Sequence, residues 1–189
     1  MPHIELNNDL PGIRGLMAFR PETAEPMGVL ANLLLRDSEG LSPAERELIA
    51  THVSYLNDCF YCHNSHGEIA CYYLGGDRDL VDKVRKDYEH APVSDKLKSL
   101  LRVAGKVQQG GKKVTKEDIE LARKAGATDM DIHDTVLIAA AFCMFNRYVD
   151  GLGATTPTDL SSYPPRAKQV AENGYGNHIF TRPQPSVKI

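Results

Sequence analysis

The sequence predicts an all-α fold, a single-domain helical bundle of about seven to eight helices whose central helical hairpin carries a Cys-x-x-Cys motif. Three observations predict it. Apolar residues recur at three- and four-residue spacing along almost the whole chain. Helix start signals precede those stretches, and glycine stops follow them. At 189 residues, with 42% hydrophobic and 25% charged content, the chain also lies in the range of one domain with a substantial core.

The first amphipathic helix runs from Pro21 to Arg36 on Met27, Leu30, Leu33 and Leu34, and ends at the polar Asp37-Ser38-Glu39-Gly40. A second begins with Ser42 as N-cap, Pro43 at the first helical position and Glu45 at the capping-box position. Its core stripe is Leu48, Ile49, Val53 and Leu56, and it fails at Asn57-Asp58. The third spans Cys59 to Leu74 and stops at Gly75-Gly76. A short charged helix from Asp79 to Tyr88 follows, then one carrying Leu97, Leu100, Leu101, Ala104 and Val107 up to Gly110-Gly111. Thr115 and Asp118 spell another capping box, with Gly126 as its stop. The helix from Asp129 to Val149 is apolar on most faces, which suits the centre of a bundle or a subunit interface. The last 39 residues hold five of the eleven prolines, and 156–189 within them reads as an extended arm with one short helix near Pro165 to Asn173. Such arms pack on a neighbouring subunit or hang free.

Charge and hydropathy narrow the function. A net charge of -3 with no Lys/Arg block argues against nucleic acid or an anionic membrane as a partner. Met1 to Leu10 lacks the basic-then-apolar pattern of a signal peptide, and no stretch reaches the roughly 18 apolar residues of a membrane span, so the expected location is cytoplasmic. In a reducing compartment a close cysteine pair is more often catalytic or metal-binding than structural.

Cys59 and Cys62 are that pair. Helical residues three apart have Cβ atoms about 5 to 6 Å from each other, so a modest adjustment closes a disulfide. His66 stands one turn beyond Cys62, where an imidazole can take or return a thiol proton. If the helices on either side of Asn57-Asp58 form an antiparallel hairpin, Glu47 lies about 16 Å back from the turn and His66 about 12 Å beyond it. The two would sit nearly abreast. On a helical wheel Glu47 points away from the Leu48/Ile49/Val53 stripe, and from there it can orient the imidazole and support its protonated form. Protons would then pass along Cys62, His66 and Glu47. Cys71 and Cys143 have apolar helical surroundings and no partner at suitable spacing, so they read as small core residues. His52, His63 and His133 read as core or surface histidines.

These residues resemble a known family. The pattern Glu-x11-Cys-x2-Cys-x3-His, met at Glu47, Cys59, Cys62 and His66 within LSPAERELIATHVSYLNDCFYCHNSHGEIA, is similar to that of the alkylhydroperoxidase D-like members of the carboxymuconolactone decarboxylase superfamily, in particular the peroxidase-related subgroup. The likeness extends to Phe145-Asn146-Arg147-Tyr148-Val149-Asp150-Gly151 and covers roughly residues 10 to 155, within a helical domain placed at 1–155. The resemblance implies an all-helical homo-oligomer with thiol peroxidase chemistry. In it Cys62 attacks the hydroperoxide substrate, Cys59 resolves the sulfenic acid to a disulfide, and His66 and Glu47 relay protons. It further implies an outside dithiol reductant, a lipoyl protein or another thiol carrier, and no cofactor. One position departs: the best-known members have a histidine directly before the second cysteine, where this chain has Tyr61, a poor base at neutral pH. The helix dipole alone would favour Cys59 as the thiolate; the nearness of His66 favours Cys62.

Other classes fit parts of the pattern. Superfamily membership also embraces carboxymuconolactone decarboxylase-like lyases, which typically lack the thiol pair, and a non-catalytic, stress-linked role with vestigial thiols. Cys59-Phe60-Tyr61-Cys62-His63 spells the c-type haem attachment motif, and two cysteines with a histidine could give zinc three ligands, although no second spaced pair completes a site.

Overall fold

The computed structural model describes residues 1–37 and 39–175. Nine α-helices and no strand occur among them: α1 (Ile13–Phe19), α2 (Pro21–Arg36), α3 (Pro43–Leu56), α4 (Phe60–Tyr73), α5 (Arg78–Asp87), α6 (Asp95–Gln109), α7 (Lys116–Lys124), α8 (Asp129–Gly151) and α9 (Pro164–Asn173). Single 3-10 turns lie at Gly111–Lys113 and Leu160–Ser162. The all-α class and the hairpin are as the sequence predicts, but the helices number nine rather than seven to eight. The additional one is α1, seven residues with no side-chain cap, separated from α2 by Arg20 alone. Nothing in its sequence announces a start.

Central to the bundle is α3, buried without a break from Arg46 to Ser54. It packs on α4, α6 and α8, with α2 and α5 at its flanks. Its start is the predicted capping box: Glu45 N–H donates to Ser42 Oγ (3.3 Å), and Ser42 N–H donates to Glu45 Oε2 (2.9 Å). Leu48, Ile49 and Val53 join the main core, where α6 contributes Leu100 and Leu101 and α8 contributes Ile138 and Phe142. Leu56, expected on the same stripe, is 42% exposed, because it falls in the last turn where the chain leaves the core. Along α2 the buried face is Ala24, Gly28, Ala31, Leu34 and Leu35, so Leu33 of the predicted stripe points outward.

A Schellman motif ends α3. Cys59 N–H donates to Ser54 O and Asp58 N–H to Tyr55 O, both at 3.0 Å, while Asp58 adopts the left-handed conformation at φ 56°. The chain thus reverses within three residues, and Cys59 becomes the N-cap of α4. Two amides hold the turn to the bundle, the half-buried Asn57 and the buried Asn146: Asn57 donates to Asn146 Oδ1 (2.8 Å), and Asn146 to Ser54 Oγ (3.1 Å).

Beside Glu47, the wholly buried Arg46 anchors the α2–α3 connection. It donates to the carbonyls of Leu41, Leu34 and Glu39 at 2.7 to 2.9 Å and pairs with Asp134 at 2.8 Å. A buried guanidinium satisfied on this many sides fixes the position of α3.

From the arm, α9 lies on α4, with Ala167, Val170 and Ala171 against Ile69. Arg36, in the last turn of α2, holds the far end of α9 by donating to the carbonyls of Val170 (2.7 Å) and Ala171 (2.8 Å). A cation on the last carbonyls of a helix also meets the negative end of its dipole. The remainder of the predicted arm, 176–189, lies outside the described residues. No helix among the described residues is long and apolar enough to cross a membrane.

Candidate functional site

Cys59 and Cys62, both free thiols, sit in a small apolar cluster apart from the main core, with Leu6, Leu16, Tyr61, Val149, Ala154 and Tyr163. They are 0% and 4% exposed, so a reagent reaches them only through the protein. Since α4 starts at Phe60, the two sulfurs occupy the N-cap and the third position of the helix, and both lie in the first turn. The dipole therefore favours neither strongly. Their surroundings differ instead. Interaction with Cys62, then burial, with the Asp150 carboxylate adding to them, push the Cys59 thiol far above its ordinary pKa. Both Cys62 and the Asp150 carboxylate stand where they can accept its proton.

Glu47 and His66 meet as the hairpin register predicts, with His66 Nδ1 2.8 Å from Glu47 Oε2. Glu47 is fully buried. A third residue joins them: Tyr175 Oη donates to Glu47 Oε1 (2.5 Å) and lies 3.1 Å from His66 Nδ1. Burial, followed by the Glu47 charge, raises the Tyr175 phenol well above its usual pKa, so it remains a donor. With Nδ1 committed to the carboxylate, the basic nitrogen of neutral His66 is Nε2. The ring is held edge-on to Phe142 (centroids 4.6 Å apart) and stacked with Tyr175 (5.8 Å). Such a histidine is fixed in tautomer and direction, which a proton carrier requires.

Tyr175 arrives there through the docking of α9. Its N–H donates to Asn32 Oδ1 (2.8 Å), and Gly174 before it takes φ 87°, with Asn32 Oδ1 2.7 Å from where a Cβ would stand. A side chain at 174 would both strain the backbone and strike Asn32.

A cavity of about 150 Å³ opens beside this network. His66, Tyr175 and Ser65 form one part of its wall; Tyr61 and Tyr163, neighbours of the thiols, form another. Tyr61 stands where the resemblance expects a histidine. Burial pushes its phenol pKa up, opposed by a hydrogen bond with Ser65. Its ring is accommodated by Gly12 at φ 57°, where a Cβ would come within 2.2 Å. The segment before α1 is thereby shaped around Tyr61.

Of the four residues singled out in the sequence, the structure joins Glu47 to His66 and sets Cys59 with Cys62 in a cluster at the hairpin turn, the two pairs being linked along α4, where His66 stands one turn beyond Cys62. The other histidines lie elsewhere. His52 packs edge-on to Tyr88, and burial lowers its pKa to about 4. His63 takes a hydrogen bond from Arg85 (2.9 Å), and burial with the Arg85 charge lowers it likewise to about 4. His133 is exposed beside Asp134. Cys71 lies in the main core, and Cys143 packs at its edge with Asn57 near its sulfur. Among the described residues no group of three His, Cys, Asp or Glu could hold a metal ion. Sequence reasoning missed Tyr175 and Asp150. Tyr175 is remote in sequence from Glu47 and lies in a proline-rich stretch; Asp150 carried no signal beyond its place in the late Phe145–Gly151 segment.

Comparison with known proteins places this geometry. Residues 21–79, which contain all four site residues, match the model of the carboxymuconolactone decarboxylase family. A crystal structure of an alkylhydroperoxidase AhpD core, an uncharacterized peroxidase-related protein from Ralstonia eutropha JMP134, superposes with a TM-score of 0.73 at 28% identity, covering 80% of this chain and 79% of that one. An uncharacterized peroxidase-related protein from Silicibacter sp. TM1040 superposes with a TM-score of 0.72 at 30% identity, covering 82% and 78%. No curated protein matches the chain.

Proposed function

Because the chain belongs to the carboxymuconolactone decarboxylase family, on its AhpD-like side, we propose that it is a thiol-dependent peroxidase cycling between a Cys59/Cys62 dithiol and a disulfide. The observation that carries this reading is the pairing of Cys59 and Cys62 in one buried cluster at the start of α4, one helical turn before a histidine bonded to a buried glutamate. Cys62 thiolate attacks the distal oxygen of a hydroperoxide; the O–O bond breaks, Cys62 becomes a sulfenic acid, and the leaving alkoxide takes a proton to depart as alcohol. His66, oriented by Glu47 and Tyr175, is the proton carrier for that step. Cys59 sulfur then attacks the sulfenic sulfur, a disulfide forms and water leaves. An external dithiol, a lipoyl-bearing protein or another thiol carrier, returns two electrons and two protons.

A homo-oligomer belongs to the same proposal. Val29 and Leu33 on α2 and Leu137 and Met144 on α8 are apolar and 38 to 65% exposed, the kind of surface a second copy covers.

Replacing the resolving thiol separates the two halves of the cycle. With Cys59→Ser, one equivalent of peroxide is consumed per chain, turnover stops, and a sulfenic acid on Cys62 is captured by dimedone. Dimedone labelling of Cys59 in Cys62→Ser after one equivalent of peroxide, with no label on Cys62 in Cys59→Ser, would reverse the roles.

A further inference from the structure

The Cys59 thiol is wholly buried, and in the resolving step it must give up a proton as its sulfur attacks Cys62. His66 and its partner Glu47 lie one turn along α4 from Cys62. The end of α8 faces Cys59 instead. Asn146 pins that helix to the hairpin turn, taking a hydrogen bond from Asn57 (2.8 Å) and giving one to Ser54 (3.1 Å). Asp150 follows one turn later on the same face of α8. Its neighbour Val149 packs in the thiol cluster, and the chain then folds back. Gly153 N–H donates to the Asp150 carbonyl and Ala154 N–H to that of Val149, both at 3.0 Å, which returns Ala154 to the cluster. The Asp150 carboxylate is thereby set between the buried sulfur and solvent, within reach of the Cys59 proton on a residue that is itself exposed. Its local field suits a base. A carboxylate in the last turn of a helix meets the negative end of the dipole, and no basic residue in that turn of α8 offsets it. Partial burial, with the Asp58 charge added, raises its pKa above the ordinary carboxylate value, opposed by the Cys59 thiol. Placement of an acid against its local field is a mark of functional sites.

We infer that Asp150 is the general base of the resolving half-reaction, taking the proton of Cys59 and passing it to solvent at the exposed end of α8. The inference rests on the peroxidase reading. It gives the two thiols separate proton routes, through His66 and Glu47 for Cys62 and through Asp150 for Cys59. In the step itself the Cys59 sulfur forms an S–S bond with Cys62 and the S–O bond of the sulfenic acid breaks. Cys59 is oxidised and the sulfenic sulfur reduced by the same electron pair. The departing hydroxide takes a proton from solvent, which balances the one that Asp150 releases there, so disulfide and water are the products.

Sulfenic acid formation and disulfide closure, followed separately by stopped flow on the full chain after one equivalent of cumene hydroperoxide, test it. In Asp150→Asn the sulfenic acid forms on Cys62 at the wild-type rate and closes at least about a hundredfold more slowly, the loss expected of a general base. In Asp150→Ala, added formate, a small carboxylate that can enter at the exposed end of α8, restores closure in proportion to its concentration, which no packing role would do. Closure in Asp150→Asn within about threefold of wild type, too small a loss for a general base, overturns the inference while leaving the peroxidase reading intact. So does slow closure in Asp150→Ala that formate leaves unchanged. A route without peroxide separates the two readings: methyl methanethiosulfonate places a methyl disulfide on Cys62, and attack by Cys59 releases methanethiol. Asp150-dependent release by a protein in which peroxide yields no sulfenic acid upholds the base and overturns the peroxidase. Release that does not depend on Asp150 overturns the base.

Discussion

Cys62→Ser abolishes peroxide turnover. A serine hydroxyl in the same place is not ionised near neutral pH and gives no stable equivalent of a sulfenic acid, so the first bond-forming step has no nucleophile. Cys59 does not substitute for it: once the interaction with Cys62, the largest cause of its raised pKa, is gone, burial and the Asp150 carboxylate still hold its thiol up. The loss is specific to chemistry. Cys62 is small and packs in a satellite cluster with Leu16, Tyr61 and Tyr163, so the variant folds and its helical circular dichroism matches the wild type. Peroxide consumption measured beside that spectrum checks both parts; turnover within a few-fold of wild type would remove Cys62 from the mechanism.

Glu47→Gln slows disulfide formation by about 10- to 100-fold, the range for a residue that acts by orienting another group. The replacement is close in shape and keeps an oxygen to receive Tyr175 or His66, but only one of them. Its NH2 group must face the other, and because Nδ1 of His66 and the hydroxyl of Tyr175 both serve as donors to Glu47, one contact is lost. His66 then loses the carboxylate that fixes its ring and its tautomer. Stopped-flow rates of sulfenic acid and disulfide formation, taken across pH, read the effect directly. An unchanged rate in a folded variant would mean that His66 works without its carboxylate.

What could be read from the sequence follows a physical division. Ser42, Pro43 and Glu45 announce α3 because capping is local chemistry, and the bonds are present as expected. Glu47 and His66 could be placed abreast because a helical hairpin converts residue number into distance along the two helices. The α4 boundary was harder. Cysteine is not a usual capping residue, and only the Schellman turn at Asp58 shows that Cys59 precedes the helix. Helix α1 is too short to leave a periodic trace. Tyr175 was illegible for a different reason: its place beside Glu47 depends on α9 docking on α4 and on Arg36 holding the end of α9. The same applies to Asp150, brought to Cys59 by the tie of Asn146 to the hairpin turn.

The account stands on a disulfide between Cys59 and Cys62 formed by peroxide. Peptide mass spectrometry of reduced wild-type protein, before and after one equivalent of cumene hydroperoxide, measures it. Tryptic cleavage after Arg46 and Arg78 yields a peptide that holds Cys71 as well, so fragmentation must locate the bond. The account predicts loss of two hydrogens from that peptide with the link between Cys59 and Cys62, reversed by a dithiol. Peroxide consumed with both thiols still alkylatable, or a link made through Cys71 or Cys143, would contradict it.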